Sequence, residues 1–339
     1  MATDDVAFTM PEPGVPTIPL DRLELDSKEA ARYAAESRPF VTRVDWPALQ
    51  WTPDYLRQKV GTNLVPVWKR DGTRPNLSIS SYLDLIDDTK RASEDYILHN
   101  FPIIKLWGDE GQVAGMEPLL ADLRLPAFIH ADKIREMFAW VRNGGWHDNK
   151  SHCEPNAAAN FNVQLQGKKR VWLFSPDDAG LLGVATTKRE ELVTPPFFSQ
   201  TQTVFKPSED HPSFANVRCY ETVLEPGDAV YIPVFWFHWF VHYDLYQLNF
   251  NVWFDAGPIP LSPISAEWSF MTALCLTLGG FASANEKFAA LPIETQELLT
   301  SIATALVADR RCTDLEQRGS AKKGAPDIAL DLKSFTKTE

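Results

Sequence analysis

From Phe138 onward the chain alternates short apolar and polar runs broken by Gly and Pro, the pattern of antiparallel strands with one face buried. In Phe161-Asn-Val-Gln-Leu165 the apolar residues share one face. Gly167 permits a turn, Arg170-Val-Trp-Leu-Phe174 returns as the expected hairpin partner, and Pro176 stops it. The segment Glu225-Pro-Gly-Asp228 is a turn, Ala229 to Val241 reads as one strand covered on both faces with His238 embedded, and Gln247 to Phe254 is another strand. Upstream the pattern is mixed. Leu20 to Tyr33 has helical spacing, Pro39 to Val44 is a short strand, Trp46 to Val60 is a turn then a helix, and Tyr82 to Ile86 is a helical piece. After Pro263 the period turns helical: Trp268 to Leu278, a Gly279-Gly280 break, then Ala284 to Ala308 with Pro292 interrupting. These patterns predict a mainly β protein with α additions: a flexible lead over 1–18, a domain over 19–258 whose barrel-like core starts near 125, a helical appendage over 259–312, and a disordered tail over 313–339.

A chain of 339 residues with 44% hydrophobic content can bury a large single core plus an appendage. Its formal charge of −12 makes a nucleic-acid surface depend on a local basic patch, and the basic runs weighed for that role are Lys168-Lys169-Arg170, the longest, and Lys322-Lys323 in the tail. Neither interleaves aromatics, so nucleic acid is not the expected partner. The first 19 residues lack a charged-then-apolar secretory pattern, and Trp268 to Phe281 is too short to span a membrane. Cys153, Cys219, Cys275 and Cys312 are widely spaced with no CxxC pair, which predicts free thiols in a reducing cytoplasmic or nuclear setting.

His152-Cys153-Glu154 is a His-x-carboxylate pair, and on extended backbone residues i and i+2 share a face roughly 6 to 7 Å apart, within reach of one ion. A third ligand from a distant strand would complete a two-His-one-carboxylate face, which suits Fe(II), Mn(II) or Zn(II). Of the seven histidines, His99, His130 and His211 fall outside the strand blocks, leaving His147, His238 and His242. Four residues along a strand are about 13 Å, so His238 and His242 cannot share an ion. His238 is preferred because the turn at Pro226-Gly227-Asp228 and a short strand lead into it. Taken alone, an HxE pair is more often a surface loop and a strand histidine a core residue.

Gly227-Asp-Ala-Val-Tyr-Ile-Pro-Val-Phe-Trp-Phe-His238, preceded by Cys219-Tyr-Glu-Thr-Val-Leu-Glu-Pro226, resembles the distal-histidine strand of jumonji-C oxygenases, most nearly their asparaginyl hydroxylases. Asn160-Phe-Asn-Val-Gln-Leu-Gln-Gly-Lys-Lys-Arg170, Arg38-Pro-Phe-Val41 and Pro47 to Leu56 extend the resemblance over about Ile18 to Pro258. It implies a double-stranded β-helix of jelly-roll or cupin-like type. It also implies Fe(II) on His152, Glu154 and His238, with 2-oxoglutarate as co-substrate. By position, Lys169 matches the lysine that pairs with the far carboxylate of 2-oxoglutarate, and Tyr96 the tyrosine that hydrogen-bonds it. Asn149 sits where a co-substrate threonine is found, and Asn160 and Asn251 match pocket-lining asparagines. Gln200 aligns with a glutamine that holds the substrate side chain, and Trp253 is placed with it on the substrate side.

Read from the residues alone, Lys169 would more often be a solvated hairpin charge, although its alternation with Val171 and Leu173 turns it inward; Tyr96 would be a half-buried strand tyrosine, and the aromatics Trp236, Phe237, Trp239 and Trp253 core packing rather than a methyl-ammonium cage. Glu154 stands where the asparaginyl hydroxylases have Asp, Ser199 where they have Arg, and the segment to Asn160 is about two residues longer. The resemblance implies hydroxylation of a protein or peptide side chain with release of succinate and CO2. Hydroxylation of a small metabolite and N-methyl-lysine demethylation are alternatives within the family, and a non-catalytic cupin-like binder is one outside it. The apolar C-terminal helices predict a homodimer.

Overall fold

The computed structural model describes residues 15–69, 75–87, 96–98, 100–105, 115–143, 147–148, 152–154, 158–178, 181–182, 215–242, 244, 246–256 and 292. The expected C-terminal helices and tail lie outside these residues, as do Asn149 and Gln200. Three helices stand near the N-terminus: α1 (Lys28–Ala35), α2 (Pro53–Val60) and α3 (Ile79–Asp87). The helical spacing from Leu20 resolves later than the sequence suggested. Residues 21–23 run extended beside Val41, with Val41 donating to the Asp21 carbonyl and Leu23 to the Val41 carbonyl, both at 2.8 Å. Ser27 then caps α1 by accepting from the Ala30 N–H at 3.0 Å.

The strands in chain order are β1 (Thr17–Pro19), β2 (Phe40–Arg43), β3 (Leu64–Pro66), β4 (Trp68–Lys69), β5 (Asn76–Ser78), β6 (Tyr96–Leu98), β7 (Asn100–Lys105), β8 (Ile134–Asn143), β9 (His147–Asp148), β10 (Ala159–Gln166), β11 (Lys169–Phe174), β12 (Cys219–Leu224), β13 (Asp228–Ile232), β14 (Phe237–His242) and β15 (Tyr246–Phe254). They form a five-stranded sheet in the order β1-β12-β11-β14-β9 and a six-stranded sheet in the order β2-β13-β10-β15-β8-β7, plus the small pairs β3-β5 and β4-β6. Among the described residues all ladders are antiparallel except β1 with β12. The protein is thus mainly β with few helices, and its core is a cupin-like sandwich of two sheets, in line with the expected jelly-roll or cupin-like type.

Two expected pairings are corrected. β10 and β11 are not hairpin partners: β10 pairs with β13 and β15, whereas β11 pairs with β12 and β14. The turn at Gly167, with φ of 75°, carries the chain from one sheet to the other. The long run from Ala229 to Val241 is likewise two strands in different sheets. Pro233 has no N–H for a ladder, and Phe235 adopts a left-handed φ of 65°, so the run breaks between Ile232 and Phe237.

These crossings decide which side chains face the gap between the sheets. On β11 and β14, Lys169 lies opposite His242, Val171 opposite Phe240 and Leu173 opposite His238, all on one face. Val171, Leu173, Leu224, Trp236 and Phe240 pack with Val41, Val230 and Ile232 of the other sheet. Asn160 and Asn162 lie opposite Ile232 and Val230, so they share that inner face. The alternate residues Phe161, Val163, Phe250 and Val252 turn outward, to a layer that includes Trp46, Trp51 and Phe128.

Candidate metal centre

His238 arrives on β14, and His152 meets it through an isolated antiparallel bridge beyond the short β9. Their backbones exchange two hydrogen bonds, from the His152 N–H at 3.2 Å and from the His238 N–H at 2.8 Å. The HxE pair therefore sits at a single bridge, not in a regular strand. Ligand atoms of His152, Glu154 and His238 all lie within 4.8 Å of one another. The two imidazole rings are 4.4 Å apart, and His238 Nε2 is 3.5 Å from Glu154 Oε1.

His238 is prepared as a ligand. Its Nδ1 lies 3.3 Å from the Trp236 carbonyl, which can only accept, so the proton belongs on Nδ1 and the Nε2 lone pair is free. Burial, then the neighbouring His152, push its pKa well below the ordinary imidazole range, and Lys169 adds to that shift. The neutral form is the one that binds metals. Two imidazoles and a carboxylate, converging and largely withdrawn from water, are a donor set that could hold Fe(II), Mn(II) or Zn(II). Between the two local ligands, burial and the adjacent Glu154 push the Cys153 thiol up, so it stays protonated and is no rival donor. Cys153 and Cys219 are both free and buried.

Lys169 is 1% exposed on the inner face of β11. Its ammonium donates to Asn162 Oδ1 and stands 4.5 Å from the centre of the Phe240 ring, while Phe240 lies 5.2 Å from the His238 ring. Among the described residues no carboxylate pairs with it, and burial pushes its pKa well below the ordinary lysine value. A buried cation that lacks an anion is costly unless a ligand supplies one.

Asn160 and Asn251 are buried on the same inner face, and Asn160 Nδ2 donates to Glu154 Oε1 at 3.3 Å. Trp253 lies opposite Asn160, packs edge-on against Phe138 at 5.5 Å, and has an indole N–H with no hydrogen-bond partner among the described residues. Tyr96 lies in β6, paired with Lys69 of β4, outside both large sheets. His242 shares the face of His238, but its Nδ1 contacts Gln247 Oε1 at 3.4 Å. Sequence reasoning missed Asn162, Gln164, Gln247 and Asn249, all buried on the inner face. The signal was present as amides at every second position of β10 and β15.

A family model for a cupin-like domain matches residues 26–258, well over half of the chain. The chain belongs to the cupin-like domain family. The jumonji-C resemblance is met at that level, with relatives of JmjC type, and not as a particular closeness to asparaginyl hydroxylases. Chicken (Gallus gallus) tRNA wybutosine-synthesizing protein 5 is 29% identical over 211 residues, covering 56% of this chain and 61% of that protein. The human (Homo sapiens) protein of the same name is 41% identical over 135 residues, covering 38% of each. The zebrafish (Danio rerio) HSPB1-associated protein 1 homolog is 22% identical over 232 residues, covering 62% of this chain and 50% of that protein. The cupin-like chain thus spans less than two thirds of the length of each of these relatives.

Proposed function

We propose that this cupin-like protein is an Fe(II)- and 2-oxoglutarate-dependent oxygenase that hydroxylates a side chain of a protein or peptide. One observation carries the reading: the corner formed by His152, Glu154 and His238 shares an inter-sheet gap with Lys169, a buried cation without an anion among the described residues. A 2-oxo dicarboxylic acid answers both features, since its 2-oxo carboxylate end suits a metal and its far carboxylate suits an ammonium. His152, Glu154 and His238 would hold the iron, and Lys169, with Tyr96 by resemblance, the far carboxylate. When bound, iron and 2-oxoglutarate supply the oxidising power, consuming O2 and releasing succinate and CO2. The protein's own part is to fix the ligands, neutralise the dicarboxylate, orient the substrate carbon and exclude water. Asn149, Asn160 and Asn251 would line the co-substrate pocket. Gln200 and the indole N–H of Trp253, unpaired among the described residues, would face the substrate.

A second reading takes a tRNA base as substrate. The likeness to two tRNA wybutosine-synthesizing proteins favours it, and the formal charge of −12 opposes it. Both readings share the oxygenase step and are tested together. Anaerobic titration with Fe(II) and 2-oxoglutarate should raise a weak visible charge-transfer band in wild type and none in His238→Ala, with succinate released on admitting O2. Absence of the band in folded, iron-loaded wild type would sink the oxygenase reading. Faster succinate release with peptide pools favours the first substrate class, and with tRNA the second. We further propose a homodimer through residues 259–312 in a cytoplasmic or nuclear setting; a monomer mass in sedimentation equilibrium would refute the dimer.

A further inference from the structure

The inner faces of β10 and β15 carry an ordered set of buried amides. An ionised Glu154 carboxylate can only accept hydrogen bonds, so the end of the Asn160 amide that meets its Oε1 must be the NH2 group. That turns Asn160 Oδ1 the other way, where it accepts from Asn251 Nδ2 at 2.9 Å. Asn251 Oδ1 is committed in turn, and accepts from Asn249 Nδ2 at 2.7 Å. Each amide donates toward the carboxylate, and the direction of the whole chain is imposed at its Glu154 end. None of the three is more than 5% exposed, so bulk water cannot stand in for a missing member. The Oε1 that receives the relay is also the oxygen 3.5 Å from His238 Nε2.

We propose that Asn249, Asn251 and Asn160 form a one-way amide relay that orients the Glu154 carboxylate toward the two imidazoles, with Asn249 as a positioning residue for the metal. This rests on reading the His152, Glu154 and His238 corner as a metal site. Asn249 has no hydrogen bond or ring contact with any of the three ligands among the described residues, so whatever it does to a metal it does through Asn251 and Asn160. Losing the Asn249 donor leaves Asn251 Oδ1 buried and unpaired. The Asn251 amide is then free to turn, and the donor that steadies Glu154 loses its support. Residues that steady a metal ligand from behind typically change metal affinity by about 10- to 100-fold when removed, and the remote end of a relay belongs near the lower figure.

The test is Mn(II) affinity measured on the full chain by electron paramagnetic resonance, with folding followed separately by urea denaturation. Asn249→Leu should weaken Mn(II) binding about tenfold in the wild-type background, and should add nothing in an Asn160→Ala background, where the relay is already cut. If Asn249→Leu fails to fold, Asn249→Ser, which cannot reach Asn251, should show the same loss and the same dependence on Asn160. Unchanged Mn(II) affinity in the folded Asn249 variants would overturn the relay. So would a loss that adds in full to that of Asn160→Ala, since that is the signature of general loosening. Wild type that does not bind Mn(II) would overturn the metal site itself, a result that cannot be confused with a failed relay.

Discussion

Lys169→Met separates what the buried lysine does for the site from what it costs the fold. Burial holds the folded-state pKa of Lys169 well below its ordinary value of 10.5, whereas the unfolded chain keeps the ordinary value. Between those two values the unfolded state binds more protons, so wild-type stability without ligand rises with pH across that window. The slope from one such group is at most about 1.4 kcal/mol per pH unit. Methionine fills a similar volume with no charge, so Lys169→Met should be more stable than wild type at neutral pH. Its advantage should shrink as the pH rises toward the ordinary lysine value, by no more than about 1.4 kcal/mol per pH unit. Urea denaturation of both proteins across that pH window measures this, and every group common to both cancels in the difference. A dicarboxylate that pairs with the ammonium should restore its charge, so saturating 2-oxoglutarate with Mn(II) should flatten the wild-type pH dependence while Lys169→Met fails to respond. An advantage that stays constant with pH would refute the argument that the buried charge is uncompensated. A ligand response that survives in Lys169→Met would refute the assignment of the far carboxylate.

Two further outcomes follow from the same geometry. Asn162→Leu removes the oxygen that accepts from Lys169 and should weaken 2-oxoglutarate binding several-fold, while leaving a 2-oxo monocarboxylate such as 2-oxobutyrate unaffected; calorimetry with both acids checks it, and equal loss for both would show that Asn162 does not act through the lysine. Gly167→Ala places a Cβ at 2.4 Å from the Tyr246 carbonyl oxygen at a φ of 75°, and should cost about 2 kcal/mol or more in urea denaturation, with loss of 2-oxoglutarate affinity because Lys169 leaves this turn into β11.

How far the sequence reached depended on what kind of information each feature needs. The strands around Phe161 to Leu165, Arg170 to Phe174 and Gln247 to Phe254 were legible because alternation is local, and the structure has them as β10, β11 and β15. Which strand pairs with which is not local. Gly167 announces a turn but not that the turn changes sheets, so a hairpin was expected where a crossing occurs. His152, Glu154 and His238 could be chosen by residue type, spacing and elimination, since few residues suit a metal, and the structure brings the three together. The amides could not be chosen so. An asparagine in a strand is unremarkable until cross-strand register shows that Asn160, Asn251 and Asn249 form one line ending at Glu154.

The sandwich is built with its chemistry inside and much of its packing outside, and this divides the two faces of the same strands by role. On β10 the outward residues Phe161, Val163 and Leu165 are fully buried against the outer layer that includes Trp46, Trp51 and Phe128. The inward residues Asn160, Asn162 and Gln164 are equally buried, yet bring polar groups that must each find a partner. Gln164 shows how tight that constraint is: its Nε2 reaches the Gln166 carbonyl, the Gly167 carbonyl and Gln247 Oε1, while its own Oε1 has no partner among the described residues. An apolar filling of the gap would avoid that acceptor and the Lys169 ammonium, neither of which finds its complement among the described residues, and would be the more stable choice for a protein with nothing to bind. Amides and a lysine there fit the polar guest proposed for the gap. The same argument separates two kinds of effect along one strand: truncating Phe161 or Val163 should lower stability with the site's preferences intact, whereas apolar replacement of Asn160 or Asn162, which strands the Asn251 or the Lys169 donor, should also be felt by the ligand.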